Sequence, residues 1–248
     1  LSLLPRLCVS KPDWKQRFLI GFTALLIAKP FFGVRSQVFD WIAVALIFLL
    51  WQKYTKTGNK KILWAFPLLF LIWANIHGGF PLGLLMLAGL MFFHLAKTIQ
   101  IASPSSLRST LAHLFQAQRN IIIFFLSMLI LSFLATFLTA YSYRLYIDFF
   151  RISQGKEAFQ FIAEWAPSTI AASSAIPFFC YLFFLILLLL DERASQKNQA
   201  FGDTVFFLFF LFSAFSYVRF IPFFIIASLP IAYRRFANHQ LMPEALAF

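Results

Sequence analysis

Acids and cysteines are scarce in this chain. Nine Asp and Glu stand against 21 Lys and Arg in 248 residues, and charged residues of both signs make up only 12% of the total. Soluble domains are roughly 45–50% apolar and about 25% charged, so a chain that is 61% hydrophobic cannot cover itself with polar surface. Two cysteines, Cys8 near the start and Cys180 inside an apolar run, exclude a disulfide framework and a CxxC metal site. No glycine-rich phosphate loop and no GxSxG elbow occurs, which removes nucleotide-cradling and serine-hydrolase chemistry of those kinds. No basic patch with interleaved aromatics lies outside the apolar runs, so the net charge of +12 does not point to nucleic acid.

What the chain does contain is lipid-soluble. Thirty-six Phe and long aliphatic stretches form eight apolar runs: Phe18 to Val34, Val38 to Trp51, Ile62 to Asn75, Phe80 to Ala96, Ile121 to Ala140, Ile176 to Leu190, Phe201 to Phe215 and Phe220 to Tyr233. They predict an all-α, polytopic transmembrane helix bundle of about eight spans, with seven to nine as the range, and the lipid bilayer as solvent. A cytoplasmic N-terminal segment (1–17) precedes a transmembrane domain (18–233) with a partly helical external loop (about 141–175) and a cytoplasmic tail (234–248). With the N-terminus inside, only Lys29, Arg35, Arg144, Arg151, Lys156 and Arg219 of the 21 basic residues fall outside, as the positive-inside rule requires. The expected location is the plasma (bacterial inner) membrane. The sequence starts at Leu1, and a further segment upstream is expected.

Some runs are shorter than the roughly 20 residues that cross a bilayer. Asn75, His77, Gly78 and Gly79 interrupt the stretch from Ile62 to Ala96, and Arg219 interrupts the stretch from Phe201 to Tyr233. Such breaks are tolerated at membrane depth only against protein or a water-filled cavity, so both predict a pocket. The outer face then collects Arg35, Gln37, Asp40, Asn75, His77, Tyr141, Tyr143, Arg144, Glu164, Trp165 and Arg219. Ionisable groups at this depth are costly and usually functional, and guanidinium groups with an imidazole suit a phosphate. Each has a plainer reading: Arg35 can snorkel to the interface, His77 can cap a turn, and Glu164 can be a solvated loop residue. His77 and His94 stand roughly 26 Å apart along one helix and cannot share a haem.

Five segments carry a resemblance. Trp73-Ala74-Asn75-Ile76-His77-Gly78-Gly79-Phe80 is similar to a W-A-N-L-H-G-G-F segment, and Arg35-Ser36-Gln37-Val38-Phe39 to R-P-Q-L-F. Tyr141-Ser142-Tyr143-Arg144-Leu145-Tyr146 stands where N-P-Y-G-x-R-L-Y would, and Ile162-Ala163-Glu164-Trp165-Ala166-Pro167 resembles I-x-E-W-x-P. Arg219-Phe220-Ile221-Pro222 resembles the Arg that opens a late span. In these segments the chain resembles bacterial polytopic membrane proteins of the GT-C glycosyltransferase superfamily, relatives of protein mannosyltransferases and lipid A sugar transferases. The chain departs at Ser36, where Pro is usual, and at Thr139, Ala140 and Ser142, where Asn, Pro and Gly are usual.

The resemblance implies transfer of a sugar from a polyprenyl-phosphate donor to an acceptor on the outer side of the membrane. It implies Arg35, His77, Arg144 and Arg219 at the donor phosphate, with Gln37, Asn75, Gly78, Gly79, Tyr143 and Trp165 in support. Glu164 is expected to orient one of the arginines and is a weak candidate for the base. The family's acidic catalytic loop is expected upstream of Leu1. No cofactor is firmly implied; a divalent metal is compatible with the chemistry but has no ligand set in the sequence. Two readings of other classes stay open: a transporter or flippase for an anionic lipid or solute, and a non-catalytic membrane assembly subunit. The residues leave sugar, acceptor and oligomeric state open.

Overall fold

The computed structural model describes residues 18, 21–24, 26, 28–29, 36–102, 107–154, 165–169, 176–190 and 201–238. Among them the chain is helical and has no strand. It divides into two compact units, one of residues 33–161 and one of residues 1–32 with 162–248.

The first unit holds α1 (Gln37–Thr57), α2 (Ala65–Ile76), α3 (Phe80–Ala102), α4 (Leu107–Ala135) and α5 (Arg144–Gln154). α1 stops at Gly58, which takes the left-handed conformation (φ 66°) and returns its N–H to the Tyr54 carbonyl. An L side chain there would be strained, so glycine is the natural terminator. The Asn59 side chain then accepts from Lys61 N at 3.0 Å and starts the 3-10 turn Lys60–Trp64 that leads into α2. Pro67 and Pro81 sit in the first turns of α2 and α3, where a missing N–H costs nothing.

Consecutive helices alternate in direction. At one end the start of α1, the end of α2, the start of α3 and the turn after α4 meet, through Asp40, Trp73, Gly79 and a bond from Asn75 to the Leu138 carbonyl. At the other end Trp51 and Tyr54 of α1 pack on His94 of α3 and Phe125 of α4, with ring centroids 5.3–5.9 Å apart. Between the two ends Val44, Ile47, Phe66, Phe70, Met86, Leu87 and Met128 are fully buried. In lipid the hydrophobic effect does not draw helices together, so close packing of such side chains must hold them. Gly83 serves that packing, because a Cβ there would enter the Trp73 ring.

The second unit holds α6 (Ile176–Leu190), α7 (Phe201–Ser216), the 3-10 turn Val218–Phe220 and α8 (Ile221–Asn238). Pro177 and Pro222 stand in first turns, and Pro230 lies inside α8. Phe178, Phe210 and Phe224 form its aromatic centre, and Tyr181 Oη meets Ser228 Oγ at 2.9 Å.

Among the described residues, three helices are long and apolar enough to cross a membrane: Gln37–Thr57, Phe80–Lys97 and Gln118–Ala135. The helices Ile176–Leu187, Thr204–Ser216 and Val218–Ala232 are apolar but shorter. α2, with 12 residues, extends only about 18 Å against a hydrocarbon core of about 30 Å. Side chains such as Phe92, Leu85, Leu134 and Phe212 are more than half exposed, an outward surface suited to acyl chains rather than water.

Candidate functional site

α2 ends where its sequence loses apolar side chains. His77 caps it, giving its N–H to the Trp73 carbonyl at 2.9 Å, and Gly78 and Gly79 turn the chain into α3. Asn75 uses its amide twice, on Leu71 O (2.8 Å) and on Leu138 O (3.1 Å), and so ties the end of α2 to the turn after α4.

Asp40 is the centre of this end. It lies in the first turn of α1, 2% exposed, and accepts a hydrogen bond from Trp73 Nε1 on Oδ1 at 2.6 Å. Its other oxygen, Oδ2, stands 2.7 Å from His77 Nδ1. That contact has the distance of a hydrogen bond but not the angle, and Nδ1 is buried without a well-aligned partner. The distance is the more telling quantity, since χ2 of a histidine is a soft torsion and a small ring rotation aligns the pair. Gly79 makes the cradle possible: a Cβ there would collide with the Asp40 carboxylate.

The same end includes the Tyr141–Tyr146 segment. Phe80, buried behind Gly79, meets the Tyr146 ring edge-on at 5.6 Å, and Tyr146 stacks on Phe137 at 5.0 Å. The Tyr146 hydroxyl bonds Thr136 Oγ1, and burial pushes its pKa above the ordinary tyrosine value while that bond opposes the shift. Ser142 adopts φ 45°, the left-handed region that favours glycine, and Thr139 holds its N–H through both Oγ1 and the carbonyl. Tyr143 and Arg144 are exposed at the start of α5. Gln37 is half-buried in the first turn of α1.

In the second unit, Trp165 and Arg219 stand together. The Arg219 guanidinium lies 4.3 Å from the Trp165 ring centre, a cation–π contact, and Tyr217 meets the same indole edge-on at 5.3 Å. Residues 165–169 are fastened to the α7–α8 turn by Ser168 N to Phe215 O, Ser168 Oγ to Ala214 O and Val218 N to Ala166 O.

The structure thus joins His77, Asn75, Gly79 and the Tyr141–Arg144 segment within one unit, and Trp165 with Arg219 within the other. Arg35 and Glu164 lie outside the described residues. The residue that sequence reasoning gave no role is Asp40. Its signal was available as a lone acid in the first turn of an apolar helix, an expensive placement without a partner. Among the described residues no group of three or more His, Cys, Asp or Glu is placed to hold a metal ion. Comparison with protein-family models, curated proteins and solved structures returns no match to this chain.

Proposed function

We propose that the chain is the membrane part of a GT-C-type glycosyltransferase. It moves a sugar from a polyprenyl-phosphate donor to an acceptor on the outer side of the plasma membrane, within a bundle of about eight spans whose N-terminal segment is cytoplasmic. Arg35, Arg144 and Arg219 are the residues given to the donor phosphate, and a carboxylate such as Glu164 orients an arginine; His77, which the resemblance puts with them, stands beside the Asp40 carboxylate.

The observation that carries this reading is where two arginines stand. Arg144 is the first residue of α5, and Arg219 precedes α8 by two residues. A cation at a helix N-terminus opposes the macrodipole, at a cost of about 0.3–1 kcal/mol. The same helix ends attract anions, so a phosphate beside either arginine relieves the conflict through the guanidinium; the Arg144, Leu145, Tyr146 and Ile147 N–H groups already bond the carbonyls of Tyr141, Ser142 and Tyr143. Ser142 lends support from the backbone, since it adopts a glycine-favouring conformation at the position where the resembling segment has Gly. In the transfer, the leaving group is a lipid phosphate whose growing negative charge needs such donors.

The aromatic end of the first unit disfavours a carrier. Trp51, Tyr54, His94 and Phe125 fill the end opposite Asp40, whereas alternating access needs polar groups along the whole path. The test is incubation of the complete protein, in membranes, with labelled polyprenyl-phosphate sugars. Wild-type protein transfers label to an acceptor, and Arg219→Ala abolishes transfer while leaving expression and insertion intact. Full activity in Arg219→Ala would remove that arginine from the site, and uptake of donor lipid without transfer would favour a flippase.

A further inference from the structure

The Asp40–His77 contact supports a more specific chemistry, which rests on the glycosyltransfer reading. A carboxylate can only accept hydrogen bonds and an indole N–H can only donate. Asp40 as a carboxylate accepts from Trp73 Nε1 on Oδ1 and is placed to accept from His77 Nδ1, 2.7 Å from Oδ2, when that nitrogen carries the ring proton. A proton held on Nδ1 leaves the lone pair of the neutral imidazole on Nε2. Nδ1 is sealed from solvent while 25% of the His77 side chain is exposed, so solvent reaches the ring beyond Nδ1. The surroundings fix the pair: Asp40 is buried, Trp73 is buried behind it, and Gly79 leaves it room.

We propose that His77, positioned by Asp40, is the proton acceptor of the transfer. His77 Nε2 takes the proton of the acceptor hydroxyl as that oxygen bonds to the anomeric carbon of the sugar. The bond from this carbon to the phosphate oxygen breaks, and its electron pair leaves with the polyprenyl phosphate. Asp40 balances the imidazolium that results, and the proton then passes to solvent. Charge also argues for this division of labour. The protonated pair is neutral and the unprotonated pair is an anion, so His77 is a poor anchor for phosphate, and the arginines keep that task.

The experiment uses the complete protein in membranes, a labelled polyprenyl-phosphate sugar, and two acceptors, an alkanol and its more acidic trifluoro analogue. His77→Gln is the primary variant because its side chain is partly exposed; Asp40→Asn is the second. Expected for His77→Gln is a turnover loss of about 10²–10⁴ at saturating donor with the alkanol, an unchanged donor KM, and a smaller loss with the acidic acceptor. Asp40→Asn falls in the same direction with the same acceptor dependence. Wild-type turnover with a raised donor KM in His77→Gln would make the residue a phosphate ligand and overturn the proposal. Equal losses with both acceptors would reduce the pair to a structural contact and overturn it too. A wild-type protein that transfers no sugar to either acceptor would overturn the glycosyltransfer reading together with this one.

Discussion

Asp40 holds its place by accepting from Trp73 and by the missing side chain at Gly79, so single substitutions test the arrangement. Gly79→Ala drives a methyl group into a buried carboxylate, and overpacking of this kind costs about 1–3 kcal/mol. Thermal unfolding in detergent should show the loss. Asp40→Ala leaves the indole N–H of Trp73 without its acceptor, a comparable cost of about 1–3 kcal/mol for a buried donor. Ser142→Gly should act the other way. A left-handed φ is strained for serine, and glycine relieves it by about 0.5–1 kcal/mol, read as a raised unfolding midpoint. The WANxHGG segment announced itself in the sequence through its glycines and its lone histidine. Its partner did not: Asp40 lies 33 residues before Trp73, and neither periodicity nor local spacing links two helices at that distance.

At the scale of the element, α5 is the most informative. Ile147 and Phe150 fall on one side of its helical wheel, in line with Tyr143 in the turn before it, and all three are more than 40% exposed, while Arg144, Asp148 and Arg151 fall on another. A helix so divided, pinned by Tyr146 to the end of the span Gln118–Ala135, belongs in the membrane interface. Spin labels at Phe150 and Asp148 should separate cleanly: lipid-soluble oxygen relaxes the first, and a water-soluble nickel chelate relaxes the second. Equal exposure of both to the chelate would lift α5 off the bilayer. Tyr146 also gives this element a pH limit. Its folded pKa lies above that of the unfolded chain, so its contribution to stability is whole below the ordinary tyrosine value of about 10 and is lost as pH rises through the folded one. Base titration followed by unfolding should find Tyr146→Phe free of that limit. The 141–175 segment read as a partly helical cap because its acids and bases cancel. Arg35 and Glu164 fall outside the described residues.

For the whole molecule, composition alone sufficed to name lipid as the solvent, because a chain that is 61% hydrophobic has nowhere else to place its surface. Counting spans was harder. Apolar runs broken by Asn75–Gly79 and by Ser216–Arg219 end their helices early, and among the described residues length separates three helices able to cross a membrane from shorter apolar ones. The alternation of α1 to α4 puts Gly58 and Gly78 beside opposite ends of the first unit. Single cysteines at these two positions should therefore react with a membrane-impermeant maleimide from opposite sides of sealed vesicles, and the proposed orientation is tested by whether Gly78 is the one labelled from the outer side. The ring cluster of Trp51, Tyr54, His94 and Phe125 then acquires a mechanical meaning. Rings wedged against one another on three helices cannot turn singly, so a smaller side chain at any one of them should slacken the grip of the others and let that end of the helices drift apart.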